Sequence, residues 1–193
     1  MKNMEFIEKV RLAREEEVRF FSNAAKPERE RWVVQEFLKN LSISVSENDL
    51  HSQPQSDNVD VVFRDANFQV KELTEENCKR SFEVREAWKR AKTAGQPIEL
   101  YEAPFAQDIV WVDVYPFIQL YATHPRYPKT SRPKLDLLIY VTRPHAVLDR
   151  SRQPKDFMDL GWRSISCLFG PHSYVLVAAN DAPSFVRDQY RGS

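Results

Sequence analysis

The sequence predicts an α/β protein: a mixed β-sheet flanked by helices, with an extra N-terminal helix and a C-terminal β-hairpin plus helix. Three observations carry this. Helical periodicity over 4–22 and again over 27–40 precedes any strong strand signal. Two β-rich runs, 59–63 and 68–72, flank a polar link containing Asp65 and Asn67, which is the composition of a hairpin. The run from Leu135 to Val141 is apolar on both faces apart from Asp136, as a central strand is.

Over 4–22, Phe6, Val10, Ala13 and Phe20 keep helical spacing, and Glu15-Glu16-Glu17 reads as a solvated face. Pro27 opens the second helix, with Glu28 and Glu30 where acids suit the dipole. Its apolar stripe is Val33, Val34, Phe37, Leu38 and Leu41. Glu30 lies one turn before Val33, so its carboxylate can point along the core edge toward a sheet. Glu36, beside Val33 and Phe37, is a second candidate, with a plainer reading as a surface acid. Residues 41–46 alternate and predict a strand, and 47–58, with Pro54, predict a loop.

A hairpin turn centred between Asp65 and Ala66 pairs Phe63 with Phe68, Val62 with Gln69, Val61 with Val70 and Asp60 with Lys71. Opposed side chains share a face and alternate along each strand. Phe63, Phe68, Val61 and Val70 then face the core. Asp60, Val62, Gln69 and Lys71 share the other face, setting a carboxylate, an amide and an ammonium side by side. Taken alone, this is accounted for by a cross-strand ion pair worth about 0.2–1 kcal/mol.

Residues 75–93 predict a helix carrying Cys78, Phe82, Val84, Trp88 and Ala91, with Arg85, Lys89 and Lys92 as a basic stripe. Over 108–122, Val110, Val112 and Val114 alternate, but Val110, Val114, Phe117, Ile118 and Tyr121 keep helical spacing. A helix kinked at Pro116 is the reading adopted. Residues 123–134 form a loop with three prolines and four basic residues, Arg126, Lys129, Arg132 and Lys134, with Tyr127 among them. That mixture suits contact with a nucleic-acid backbone, and equally an ordinary exposed connection. Arg143, Arg150, Arg152 and Lys155 fall in a second basic loop. A hairpin comes next, 162–169 and 174–179 around Gly170-Pro171-His172-Ser173, and Asp181 with Pro183 starts a last helix.

At 193 residues the chain reads as one domain. Its 28 basic and 28 acidic residues balance, so any basic surface is local. Cys78 and Cys167 make no CxxC spacing and the four histidines stand singly, which leaves a zinc ribbon and a histidine metal site unsupported. The four glycines form neither a P-loop nor a dinucleotide fingerprint, and no GxSxG elbow is present. The charged N-terminus and the lack of a membrane-length apolar run lead to the expectation of a cytoplasmic protein with no membrane partner.

The order helix, strand, acid-then-lysine hairpin, helix, helix, strand resembles the PD-(D/E)xK nuclease superfamily, which includes restriction endonucleases and archaeal Holliday-junction resolvases. The chain also looks like a small bacterial family of unknown function described as endonuclease-like. The resemblance implies a restriction-endonuclease-like core over 27–141, with 1–26 as an N-terminal helix and 142–193 as an added hairpin and helix. Position by position, Asp60 is the first acid, Gln69-Val70-Lys71 the segment ending in the lysine, and Glu30 the helix acid. Position 69 departs from the pattern, with Gln where Asp or Glu is expected. The missing charge would come from Glu30, from Glu75, Glu76 or Glu83, or be absent.

The same resemblance implies a metal-dependent endonuclease hydrolysing nucleic-acid phosphodiester bonds, with DNA as partner. Mg²⁺ (or Mn²⁺) would be held by Asp60, the Gln69 oxygen, the Val70 carbonyl and Glu30. Lys71 would orient the attacking water, while Arg85, Lys89, Lys92 and the basic residues of 126–134 would hold phosphates. Many such nucleases act as homodimers, and that is the expectation here. The alternative is a non-catalytic nucleic-acid- or partner-binding module on a nuclease-like scaffold, which Gln69 and the zero net charge favour.

Overall fold

The computed structural model describes residues 2–54, 56–74, 80–101, 111–143 and 145–190. The described helices are α1 (Lys2–Phe20), α2 (Lys26–Asn40), α3 (Arg80–Thr93), α4 (Tyr115–Ala122) and α5 (Ser184–Arg187). The strands are β1 (Leu50–Ser52), β2 (Val61–Phe63), β3 (Ala66–Leu73), β4 (Val112–Asp113), β5 (Asp136–Val141), β6 (Ala146–Val147), β7 (Ser164–Phe169) and β8 (His172–Ala178). The chain divides into two compact units, Met1–Arg29 with Thr74–Ile109, and Glu30–Leu73 with Val110–Ser193.

In the first unit, α1 and α3 bury Ile7, Val84, Ala91 and Ala94. The helical phase of α1 differs by one residue from the expected one: Ile7 is buried and Phe6 exposed. Phe82 on α3 is exposed as well. Arg11 joins the two helices, donating from Nε to the Ala91 carbonyl (2.7 Å) and from Nη2 to the Ala94 carbonyl (3.0 Å). A guanidinium there satisfies carbonyls that have no partner within the helix and complements the negative end of the dipole. The start of the helix expected at 75, including Cys78, Glu75 and Glu76, lies outside the described residues, as do 108–110.

The second unit is built on a six-stranded sheet in the order β1-β2-β3-β5-β7-β8. Strands β3, β5 and β7 run parallel, and antiparallel partners extend both edges. As expected, β5 is central. Leu138 faces one core, and Leu137, Ile139 and Val141 face the other. The first core packs the α2 stripe, Val33, Val34, Phe37 and Leu38, on Val61, Phe63, Phe68 and Val70. The second packs α4 through Tyr115, Ile118 and Ala122 on Leu73, Leu137 and Ile139. A bulge in β8, where the register shifts between Ile165 and Ser166, lets both Leu176 and Val177 reach the second core.

Several local expectations are corrected. Residues 41–46 form no strand. After α2, Ser42 adopts φ 61° and the Ile43 N–H bonds back to the Leu38 carbonyl (3.0 Å), a helix-ending turn. Ile43 and Val45 still pack on the first core, so the alternation reflects burial without a ladder. The edge strand is instead β1, inside the expected loop. At 112–122 a short strand is followed by a helix whose first turn contains Pro116, so this proline starts α4 rather than kinking it. Strand β4 pairs in parallel with β6 in a separate two-stranded sheet. The C-terminal hairpin turns on two residues, Gly170 and Pro171, since Phe169 pairs with His172 and Gly170 takes φ 55°. Helix α5 is a single turn preceded by Pro183 at its N-cap position.

The fully buried Asp136 begins β5 and joins the starts of all three parallel strands. Oδ2 accepts the Asn67 N–H (2.8 Å) and Arg163 Nη2, while Oδ1 accepts Ser164 Oγ (2.8 Å) and Arg163 Nε (3.1 Å). Arg163 also donates to the Asp65 carbonyl (3.0 Å) in the first hairpin turn. Asp136→Ala leaves the largely buried Arg163 without its anion. We expect it to lower unfolding free energy by about 3–5 kcal/mol in urea titrations, far more than an exposed acid would.

Candidate functional site

The first hairpin sets the site, and its register differs from the expected one by two residues. Val61 pairs with Phe68, Val62 with Asn67 and Phe63 with Ala66. Arg64 and Asp65 form the turn, with Arg64 at φ 54°. Asn67 is not a turn residue, because its N–H is given to Asp136 and its side-chain amide donates to the Lys134 carbonyl (3.1 Å). A shift of two leaves every side chain on its expected face. It moves Asp60 from opposite Lys71 to opposite Gln69.

Asp60 is 4 % exposed and Gln69 1 % exposed. The Asp60 N–H donates to the Phe68 carbonyl (2.8 Å), and the Val70 N–H donates to Asp60 Oδ2 (2.8 Å). In a strand, N–H and C=O of one residue point the same way, and residues two apart share that direction. The carbonyls of Phe68 and Val70 therefore open on the Asp60 side of β3. Beyond Val61 the ladder between β2 and β3 ends, and the Asp60 side chain takes the place of a strand partner. The Gln69 amide nitrogen donates to Asp60 Oδ2 and makes a longer contact with the Val70 carbonyl (3.4 Å). Its Oε1 is buried with no hydrogen-bond partner.

Lys71, two residues on and on the same face, is half-buried, with Nζ 5.4 Å from the centroid of the Tyr127 ring. Arg126 places its guanidinium 5.9 Å from the same ring and donates to the Asp57 carbonyl (3.4 Å). Tyr127 itself is 1 % exposed, and its hydroxyl has no hydrogen-bond partner. Burial pushes the phenol up to about 12. Arg126 opposes this, and the Asp60 and Glu30 carboxylates add to it. Glu30, at the N-terminal end of the α2 stripe, is 5 % exposed. Glu36 pairs instead with Lys39 (2.9 Å) on the surface. Lys71 and Arg126 thus lie beside the ring of Tyr127, and the Asp60 and Glu30 carboxylates act on the phenol of this residue, which sequence reasoning placed only in a basic loop. The available signal was an aromatic amid prolines and cations, which does not by itself say that the ring is buried.

The remaining basic candidates divide. Lys129 and Lys134 are exposed. Arg132 is buried, donating from Nε to the Tyr127 carbonyl (2.8 Å) and from Nη1 to the Leu160 carbonyl (2.9 Å). It ties down the loop and is not available to phosphate, because a buried guanidinium is kept only when its donors are spent on fixed acceptors. In the first unit, Arg85 is exposed, Lys89 pairs with Glu86 (2.7 Å), and Lys92 lies 3.7 Å from the Trp88 ring centroid.

Among the described residues, no group of three or more His, Cys, Asp or Glu side chains is arranged to hold a metal. Any cation at this end of β3 would depend on the Gln69 and Val70 oxygens beside the Asp60 carboxylate.

The profile of a family described as "Putative endonuclease, protein of unknown function (DUF1780)" matches residues 2–192. The chain belongs to that family. No curated protein matches this DUF1780 chain. Among solved structures it is similar to a protein of unknown function from Pseudomonas aeruginosa strain PAO1, described as of the monooxygenase superfamily. The match has a TM-score of 0.58 at 24% identity and covers 98% of this chain and 93% of that one. At that identity the likeness is one of fold. Among the described residues, no helix of the DUF1780 chain is long and apolar enough to cross a membrane.

The Tyr127 environment has a measurable consequence. A phenol whose folded value lies above the ordinary 10.0 binds its proton more tightly when folded. Its contribution is fully present below about pH 10 and is lost as pH rises toward about 12. Spectrophotometric titration should resolve a late phenolate step that Tyr127→Phe removes.

Proposed function

We propose that this protein is a metal-dependent endonuclease that hydrolyses phosphodiester bonds of nucleic acid, DNA in the first instance, at Asp60, Gln69, Lys71 and Glu30. The observation that carries the reading is the edge of β3. Asp60 takes the place of a strand partner there, the Val70 carbonyl opens on the same side, and Gln69 keeps a buried oxygen without a partner. An all-oxygen donor set of two carboxylates, an amide oxygen and a backbone carbonyl suits a hard divalent cation such as Mg²⁺ or Mn²⁺. When bound, such an ion would supply an activated water and charge stabilisation at the phosphoryl oxygens.

The chain's own groups would do the rest. Lys71, steadied over the Tyr127 ring, is the donor for the attacking water and for negative charge that builds on phosphorus-bound oxygens. Arg126 and the exposed Lys129 and Lys134 would hold flanking phosphates, giving a salt-dependent affinity with little sequence preference. The basic stripe of α3 offers the same chemistry in the first unit. The PD-(D/E)xK relationship and action as a homodimer belong to this proposal.

A second reading has its own observation. The Gln69 amide donates to Asp60, so an internal hydrogen bond occupies the place of a second acid. A non-catalytic nucleic-acid- or partner-binding module would look the same. Incubation with linear, supercoiled and branched DNA plus Mn²⁺ separates the two. The endonuclease reading expects cleavage that Lys71→Ala lowers at least about 100-fold with the fold intact. Equal cleavage by wild type and variant would sink it. DNA binding without metal binding, unaffected by Asp60→Ala, would select the module.

A further inference from the structure

Of the four tryptophans, three are explained by packing. Trp162 is buried, Trp32 meets the Tyr140 ring edge to face, and Trp88 carries Lys92 over its ring. Trp111 is 68 % exposed. It stands directly before β4, and the pairing of β4 with β6 fixes its direction. Val112 lies opposite Ala146 and Asp113 opposite Val147. The Val112 N–H donates to the His145 carbonyl (3.0 Å) and the Val114 N–H to the Val147 carbonyl (3.1 Å). Side chains alternate along each strand, so this small sheet has two unlike faces. Val114 and Ala146 turn inward to the second core, and Trp111, Asp113, His145 and Val147 turn outward. The Trp111 and exposed His145 rings meet edge to face, 5.7 Å between centroids at 85°. An edge-to-face pair covers at most one face of either ring, so the indole keeps an open π-face. His145 holds φ 55°, a left-handed backbone uncommon outside glycine, and the bond from Val112 to its carbonyl fixes it there. The pair lies beyond Lys71 along the sheet. Leu73, two residues after Lys71 on the same face of β3, packs in the second core with Val114 and Ala146. The Thr142 N–H donates to the Leu73 carbonyl (3.0 Å), and His145 follows three residues later.

We propose that the outer face of β4 and β6 is a stacking platform for an unpaired nucleobase, with Trp111 as its binding residue, so that the substrate class is nucleic acid with a single-stranded segment. The inference rests on the nucleic-acid reading of the site. The face is too small for a protein partner: it offers four side chains, one of them aliphatic, where a stable interface needs roughly 20–30 residues a side. A base needs only one exposed π-face, and every base has one to offer in return. In a duplex that face is spent on the neighbouring pair, so only an unpaired segment presents it. At the rim, Arg152 Nη2 lies 3.9 Å from Asp113 Oδ2, and the Arg152 side chain is largely open to solvent. Asp113 Oδ1 accepts the Tyr115 N–H (3.1 Å). The acid is thus engaged within the chain, and Arg152 is the cation on this rim for the phosphate adjoining a stacked base.

Binding of a fluorescein-labelled DNA single strand of mixed sequence and of its duplex, followed by anisotropy at low salt in EDTA, tests this without any need for cleavage. Trp111→Ala should weaken single-strand binding about 10-fold and leave duplex binding and the thermal midpoint level, and Trp111→Tyr should restore most of the loss. Unchanged single-strand affinity in Trp111→Ala overturns the platform, as does an equal loss for both probes. A loss that comes with a lower midpoint and that Trp111→Tyr leaves in place marks a structural role and also overturns it. If wild type sediments as a dimer that Trp111→Ala dissociates, the face belongs to a second copy and the assignment falls. If wild type binds the duplex and not the single strand, the nucleic-acid reading stands and the platform falls. If it binds neither probe, both fall.

Discussion

The second unit depends on one buried carboxylate. Asp136 is the single charged residue within an otherwise apolar central strand, and all its acceptor capacity is directed at neighbours: the start of β3, the start of β7 and the arginine before β7. A charge taken out of water is tolerated only with such complete pairing. The consequence is positional. Because Arg163 also reaches the Asp65 carbonyl, the first hairpin turn is registered against the central strand. The position of Asp60 relative to Gln69 follows from that anchoring. A two-residue slip of the hairpin would preserve its hydrophobic faces, so burial alone could not choose between registers. The hydrogen bond from the Asn67 N–H to Asp136 can.

That explains what was legible and what was not. The faces of β2 and β3 follow from alternation, and Phe63, Phe68, Val61 and Val70 enter the first core as their pattern requires. The register rested on turn chemistry, where Asp65 and Asn67 were equally good turn formers. A contact 69 residues away decided between them, and no local pattern encodes it. Residues 41–46 show the reverse failure. Their alternation was real and their burial partial, but α2 ends in a left-handed turn at Ser42 that withdraws the backbone from the ladder.

The basic loop at 123–134 mixes both cases. Its composition correctly signalled irregular backbone, and it held the buried Tyr127, whose ring lies beside Lys71 and Arg126. Counting its cations as one surface was wrong for Arg132, because the same side chain that can hold phosphate can also satisfy buried carbonyls. Glu30 and Glu36 were separated by sequence only through helical phase, and phase was enough: one is buried at the end of the stripe, the other paired on the surface.

Glutamine at position 69 changes how the open end of the hairpin is closed. Its amide gives a hydrogen to the buried Asp60 carboxylate, where a second acid would have set two negative groups in contact. Together with the Val70 N–H, it supplies that carboxylate with donors from within the chain. The end of the β2–β3 ladder is thus satisfied without a counter-ion, and assembly of the sheet is separable from whatever the site later binds.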